Sequence, residues 1–154
     1  MREANSVFQS LRSEPLFRSI PSDRKAGNLL TPVRESRNEF LQMMQDLDNI
    51  LIERVNQGEI EAITGESAGG TKNALFNLYE YFSDTDRAAE LIAPINALHY
   101  FRNEESHDKV RAGWEEALEE LGVDDDLSIL DLYRLTFRSV ADSLDELESL
   151  LQRS

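Results

Sequence analysis

The chain has 154 residues, 40% of them apolar, and its 30 Asp and Glu outnumber 16 Lys and Arg to give a formal net charge of −14. That length suits one domain able to bury roughly two thirds of its unfolded surface. With no cysteine, disulfide frameworks, thiolate metal sites and cysteine nucleophiles are excluded, and no apolar run approaches the roughly 18 to 20 residues that span a bilayer.

The first 30 residues read as an arm. Pro15, Pro21, Gly27 and several serines interrupt small apolar pairs (Val7-Phe8, Leu16-Phe17, Leu29-Leu30), so that neither helix nor strand persists. Residues 1–34 hold six basic groups (Arg2, Arg12, Arg18, Arg24, Lys25, Arg34) against three acids (Glu3, Glu14, Asp23), a local +3, and the rest of the chain therefore carries −17. Such an arm either docks on a protein partner, a neighbouring subunit or RNA, or wraps back on its own domain. The opening MREANSVFQS lacks the charged-then-apolar build of a secretory signal, and a soluble, cytoplasmic protein is expected. The expected division is thus a basic, partly extended arm over 1–30 and a helical domain over 31–154.

Thr31-Pro32 then offers an N-cap followed by a first-turn proline. Val33, Phe40, Met44, Leu47, Leu51 and Val55 recur at helical spacing, which predicts a helix over about 32–57 stopped by Gly58. GEIEAITGESAGG reads as a loop on its glycines. Thr71 next caps a helix with Leu75, Phe76, Tyr79 and Phe82 inward. After the punctuation Ser83-Asp84-Thr85-Asp86, another helix carries Leu91, Ile92, Ile95 and Leu98, with Pro94 bending or interrupting it. A helix from about Glu105 to Leu121 places Val110, Trp114, Leu118 and Leu121 on one face and ends at Gly122. The last helix, about 127–152, shows the 3-4 stripe Leu130, Tyr133, Phe137, Val140, Leu144, Leu147, Leu151, suited to one wall of a bundle or to a dimer seam. No strand pattern and no solenoid-length repeat appears. The expected fold is an all-α up-down bundle of four to five helices with an extended N-terminal arm.

Chemistry concentrates at HYFRNEESHDK, residues 99–109, which holds both histidines. Glu104 and His107 make one Glu-x-x-His, but a di-iron bundle needs two copies, and Asn96 stands where His99 would need its glutamate. His99, His107 and scattered acids have no recognisable zinc spacing. A Gly-x-Ser-x-Gly elbow, a phosphate-binding Gly-x4-Gly-Lys loop and a dinucleotide Gly-x-Gly-x-x-Gly are all lacking. Neither a metal nor an organic cofactor is expected. His99, next to Leu98 on an apolar stretch, reads as a satisfied core or interface histidine, and the lone Trp114 as core.

Arg102-Asn103-Glu104-Glu105-Ser106-His107 has the form Arg-Asn-x3-His. It resembles the signature of the HEPN superfamily (higher eukaryote and prokaryote nucleotide-binding domain), small four-to-five-helix bundles, commonly dimeric. Many are metal-independent RNases of toxin–antitoxin, abortive-infection and CRISPR-associated systems. The resemblance implies catalytic residues Arg102, Asn103 and His107: His107 as general base or acid, Arg102 as phosphate clamp, Asn103 as an orienting polar group. Those residue types suit the task, because imidazole moves protons near neutral pH and guanidinium offsets charge developing on phosphate. Five positions separate Arg102 from His107, about one and a half helical turns, so an unwound helix start would have to bring them together. Asp108-Lys109 follows His107 where many toxin members have His-x-Tyr, which puts control by a paired nucleotidyltransferase in doubt. The resemblance spans six residues and the fold class, and ESRNEF repeats the Arg-Asn pair at Arg37-Asn38 with Gln42 in the histidine position. The plain structural alternative is an acidic helix start complementing the dipole, with Arg102 paired to a carboxylate and His107 solvated.

Of the 16 basic residues 13 are Arg and three are Lys (Lys25, Lys72, Lys109). Strong acidity with few lysines resembles haloarchaeal proteins or those of their viruses, since acid keeps hydration when salt screens charge and losing Lys removes exposed alkyl stems. An ordinary acidic protein from a GC-rich genome has the same look. Three functions compete: the HEPN-like RNase, as a dimer; a non-enzymatic structural or assembly protein such as a haloarchaeal virus head–tail connector or adaptor, as a ring within a virion; and an acidic adaptor that sequesters a basic partner.

Overall fold

Six helices form among the described residues of the computed structural model, which are Ser6, Phe8, 15–18, 35–103 and 112–153. They are α1 (Arg37–Leu51), α2 (Gln57–Thr64), α3 (Thr71–Phe82), α4 (Thr85–Asn103), α5 (Ala112–Leu121) and α6 (Ile129–Arg153). The expectation of an all-α helical bundle is met, and the one extended contact among the described residues is a single antiparallel bridge between Phe17 and Val55. The expected cap at Thr31-Pro32 and the start of a helix at Glu105 lie outside the described residues.

The chain divides into two units: Met1–Ser19, Leu51–Ile92 and Ala141–Ser154 form one, and Ile20–Ile50 and Ala93–Val140 the other. α4 and α6 each contribute residues to both.

In the first unit, backbone pairing forty residues apart overrides the helix expected to run to 57. The Arg18 amide donates to the Arg54 carbonyl and the Asn56 amide to the Leu16 carbonyl, both at 2.8 Å, while the Asn56 side chain donates to the Pro15 carbonyl. This pulls 54–56 out of helical geometry and buries Leu16 and Phe17. Gly58, expected as a stop, lies instead in the first turn of α2, within the segment read as loop. The true stop is Gly65, whose φ of 76° is left-handed and suits glycine. Past it, the Ala68 amide and the Gln57 side chain both donate to the Glu61 carboxylate, which holds it below the usual carboxylate range. α3 begins at Thr71 after an extended Gly70, with no side-chain cap. Its buried face is Ala74, Leu75, Leu78 and Tyr79, with Phe76 and Phe82 only half-buried.

The second unit is built around three aromatic rings. Phe40 of α1, Phe101 of α4 and Trp114 of α5 meet edge to face at centroid separations of 4.9, 5.7 and 5.2 Å. The Arg37 guanidinium lies 4.0 Å over the indole, whose N–H donates to Asp125. α5 ends in a Schellman motif, with the Val123 amide on the Leu118 carbonyl and Gly122 at φ 67°. α6 opens on a Ser128 cap bonded to Asp131, and Glu35 accepts from the Ile129 amide. Pro94 does not interrupt α4: the helix runs through it. The expected stripe on α6 holds from Val140 through Leu144 and Leu147 to Leu151, all buried, and shifts only before Val140, where Leu132 and Thr136 are buried whereas Phe137 is 41% exposed and Tyr133 half-buried.

Candidate functional site

Arg102 and Asn103 close α4, so the first five residues of the 99–109 cluster end a helix rather than start one. This corrects the expectation of an unwound helix start at Arg102. His107 lies outside the described residues, and Asn103 is half-buried at the last helical position.

The group that organises this region is Asp48 of α1. It follows Met44 by one turn on the arc that also carries Phe40 and Leu41, and its side chain is fully buried. A carboxylate taken out of water needs partners, and a removed partner leaves a costly charge. Its Oδ2 accepts from Nη1 of Arg102 at 2.5 Å, across 54 residues of sequence. Its Oδ1 lies 3.7 Å from Nδ1 of His99, one turn before Arg102 on the same helix. That distance exceeds a hydrogen bond. Both Oδ1 and Nδ1 are shut off from solvent with no hydrogen-bond partner among the described residues, although the His99 side chain as a whole is 33% exposed. Of the expectation that His99 is a satisfied core or interface histidine, the satisfied core position is not met at Nδ1. Arg102, 29% exposed at its side chain, is paired to a carboxylate, as the plain structural alternative had it.

The structure thus joins Arg102 to two residues outside the predicted set, Asp48 and His99, giving a carboxylate, an imidazole and a guanidinium in one cluster. Asp48 had a visible signal, an acid on the apolar arc of its helix; which of 13 arginines would answer it was not readable. Elsewhere in the same unit the hydroxyl of Tyr100 is pushed up in pKa by burial and by Glu116, Glu120 and Glu119 nearby. Asn96 donates to Glu120. Along α6, the rings of Tyr133 and the exposed Phe137 meet at a tilt, 5.9 Å between centroids. No helix among the described residues is long and apolar enough to cross a membrane. Comparison with family models, with curated proteins and with solved structures returns no match.

Proposed function

We propose that the chain is a metal-independent RNase of the HEPN-like kind, acting in a toxin–antitoxin or antiviral defence setting as a homodimer. The observation that carries this reading is the fixed guanidinium of Arg102, anchored by a buried carboxylate at the end of α4 and followed by Asn103. A cation held before substrate arrives needs no reorganisation when charge builds on a phosphate oxygen. On this reading His107 supplies the proton transfer and Asn103 orients the phosphate.

The test is cleavage of a labelled single-stranded RNA oligonucleotide by the purified chain, with His107→Ala beside it. Loss of about 100-fold or more in the variant, with the circular dichroism spectrum unchanged, is the expected result. No cleavage by the wild type ends the reading, and equal cleavage by the variant removes His107 from the site.

A second reading, the non-enzymatic assembly protein, is favoured by the exposed Phe137 paired with Tyr133 on α6, since exposed aromatics mark contact surfaces. Leu16 and Phe17 of the basic arm, by contrast, are buried against their own chain, which leaves less of the arm to reach neighbours. Sedimentation in molar salt separates the two: a dimer accords with the nuclease, a ring of six or more with a connector.

A further inference from the structure

We infer that His99, oriented by the buried Asp48, is the general base of this site; the inference rests on the RNase reading above but assigns the proton acceptor to a residue outside the Arg-Asn-x3-His pattern. Nδ1 of His99 and Oδ1 of Asp48 face each other at 3.7 Å, neither open to water nor otherwise bonded among the described residues. Leaving both unsatisfied is costly, and one tautomer lets them pair as the gap closes: the proton on Nδ1, directed at Oδ1. That tautomer leaves the lone pair on Nε2. Nδ1 is sealed while a third of the side chain is exposed, so the accessible part of the ring lies away from the carboxylate. Carboxylate, imidazole and outward nitrogen in that order is the arrangement by which an acid residue fixes a histidine for proton transfer. The gap is longer than a bond, as such contacts often are before substrate tightens them.

Arg102, one turn along the same helix, is fixed by the second oxygen of the same carboxylate. Asp48 therefore sets both the base and the cation, and acts as a positioning residue. In the reaction, Nε2 of His99 takes the proton from a ribose 2′-hydroxyl as its oxygen bonds to phosphorus. The bond from phosphorus to the 5′-oxygen breaks, and that oxygen receives a proton from water or, on the reading above, from His107. The products are a 2′,3′-cyclic phosphate and a 5′-hydroxyl, and no oxidant or metal enters the balance.

The experiment follows cleavage of a 5′-labelled single-stranded RNA against pH for the full chain, for His99→Gln, His107→Ala and Asp48→Asn, with ¹H–¹⁵N imidazole spectra of the wild type. Expected are a loss of about 100-fold or more in kcat/KM for His99→Gln, a displaced basic-group limb of the pH profile in Asp48→Asn, and Nδ1–H resonance for His99. A merely structural role for Asp48 would lower activity without moving that limb. Cleavage lost in His107→Ala yet unchanged in His99→Gln overturns the inference and keeps the RNase reading. The reverse pattern keeps the inference and removes His107 from the site. No cleavage by wild type overturns both, and a proton found on Nε2 of His99 overturns the orientation whatever the cleavage assay shows.

Discussion

In the unit that holds α3, the fully buried Tyr79 hydroxyl sits 2.9 Å from the Ser143 carbonyl and 2.7 Å from the Ser143 hydroxyl, which itself donates to the Leu91 carbonyl at 2.7 Å. In the unit that holds most of α1, the fully buried Asp48 carboxylate meets one guanidinium and leaves an oxygen facing an imidazole it does not bond. The first cluster is neutral and closed. The second is charged and left open by one contact. Closed neutral networks fix a core and have nothing further to do, whereas an unsatisfied buried pair costs stability that a purely structural site would have been expected to shed. The contrast is why chemistry is assigned to the second cluster and architecture to the first.

The contrast is broken most severely by removing a charge. Arg102→Ala strands a buried carboxylate and should destabilise the fold by about 3 to 5 kcal/mol, measured by urea unfolding at neutral pH. Asp48→Asn added to that variant should return much of the loss, because no buried charge then lacks its counter-ion. A double variant no more stable than Arg102→Ala alone would mean that Asp48 is not the charge being compensated.

The closed cluster should respond more mildly. Tyr79→Phe removes one hydroxyl and leaves the Ser143 carbonyl short of a donor, while the Ser143 hydroxyl keeps its bond to Leu91, for a cost of about 1 to 2 kcal/mol. It also predicts a pH signature. Burial, opposed by the Ser143 hydrogen bond and aided by Glu146, raises the Tyr79 pKa above its ordinary value. The folded state therefore holds the phenol proton more tightly than the unfolded chain. That stability is fully present below the unfolded tyrosine range, about pH 10, and is lost as pH rises from there towards the folded value. Unfolding free energies measured between neutral pH and pH 11 should fall at the alkaline end in the wild type and fall less in Tyr79→Phe. An equal fall in both would place the titrating group elsewhere, with Tyr100 and Tyr133, both raised chiefly by burial, as the next candidates.

How far each cluster could be read in advance follows from the range of its contacts. Local signals served well: Gly122 after α5, the Ser83-Asp84 break before α4 where Asp84 accepts from the Arg87 amide, and the apolar spacing of Leu91, Ile92, Ile95 and Leu98. What failed depends on partners far away in sequence. The end of α1 at Leu51 and the helix at 57–64 hinge on residues 15–18 pairing with 54–56, a contact that no window around Gly58 contains. On α6 the stripe was right from Val140 to Leu151 and off by about one position only before Val140, where Thr136, a polar residue, turns inward and gives its hydroxyl to the Leu132 carbonyl. Arg102 could be named from its neighbours Asn103 and His107, but Asp48 and His99 join it only once α1 lies beside α4.

Charges on the surface sharpen the comparison from its weak end. Glu146 of α6 lies between two arginines, 3.2 Å from Nη2 of Arg153 and 3.7 Å from Nη2 of Arg87. By count it has more cationic partners than Asp48, yet all three side chains keep about a third or more of their area in water. In that setting water and salt already satisfy each charge, and ordering long side chains costs entropy, so an exposed pair is worth about 0.2 to 1 kcal/mol. Glu146→Gln should accordingly shift the unfolding free energy by less than about 1 kcal/mol at low salt and by nothing measurable in molar salt. Arg102→Ala, its buried counterpart, should keep most of its effect across the same range because salt does not enter the space around Asp48. Were the two variants to lose their effects together as salt rises, the Asp48 cluster would be a solvent-screened contact, and the reason for assigning it chemistry would go with it.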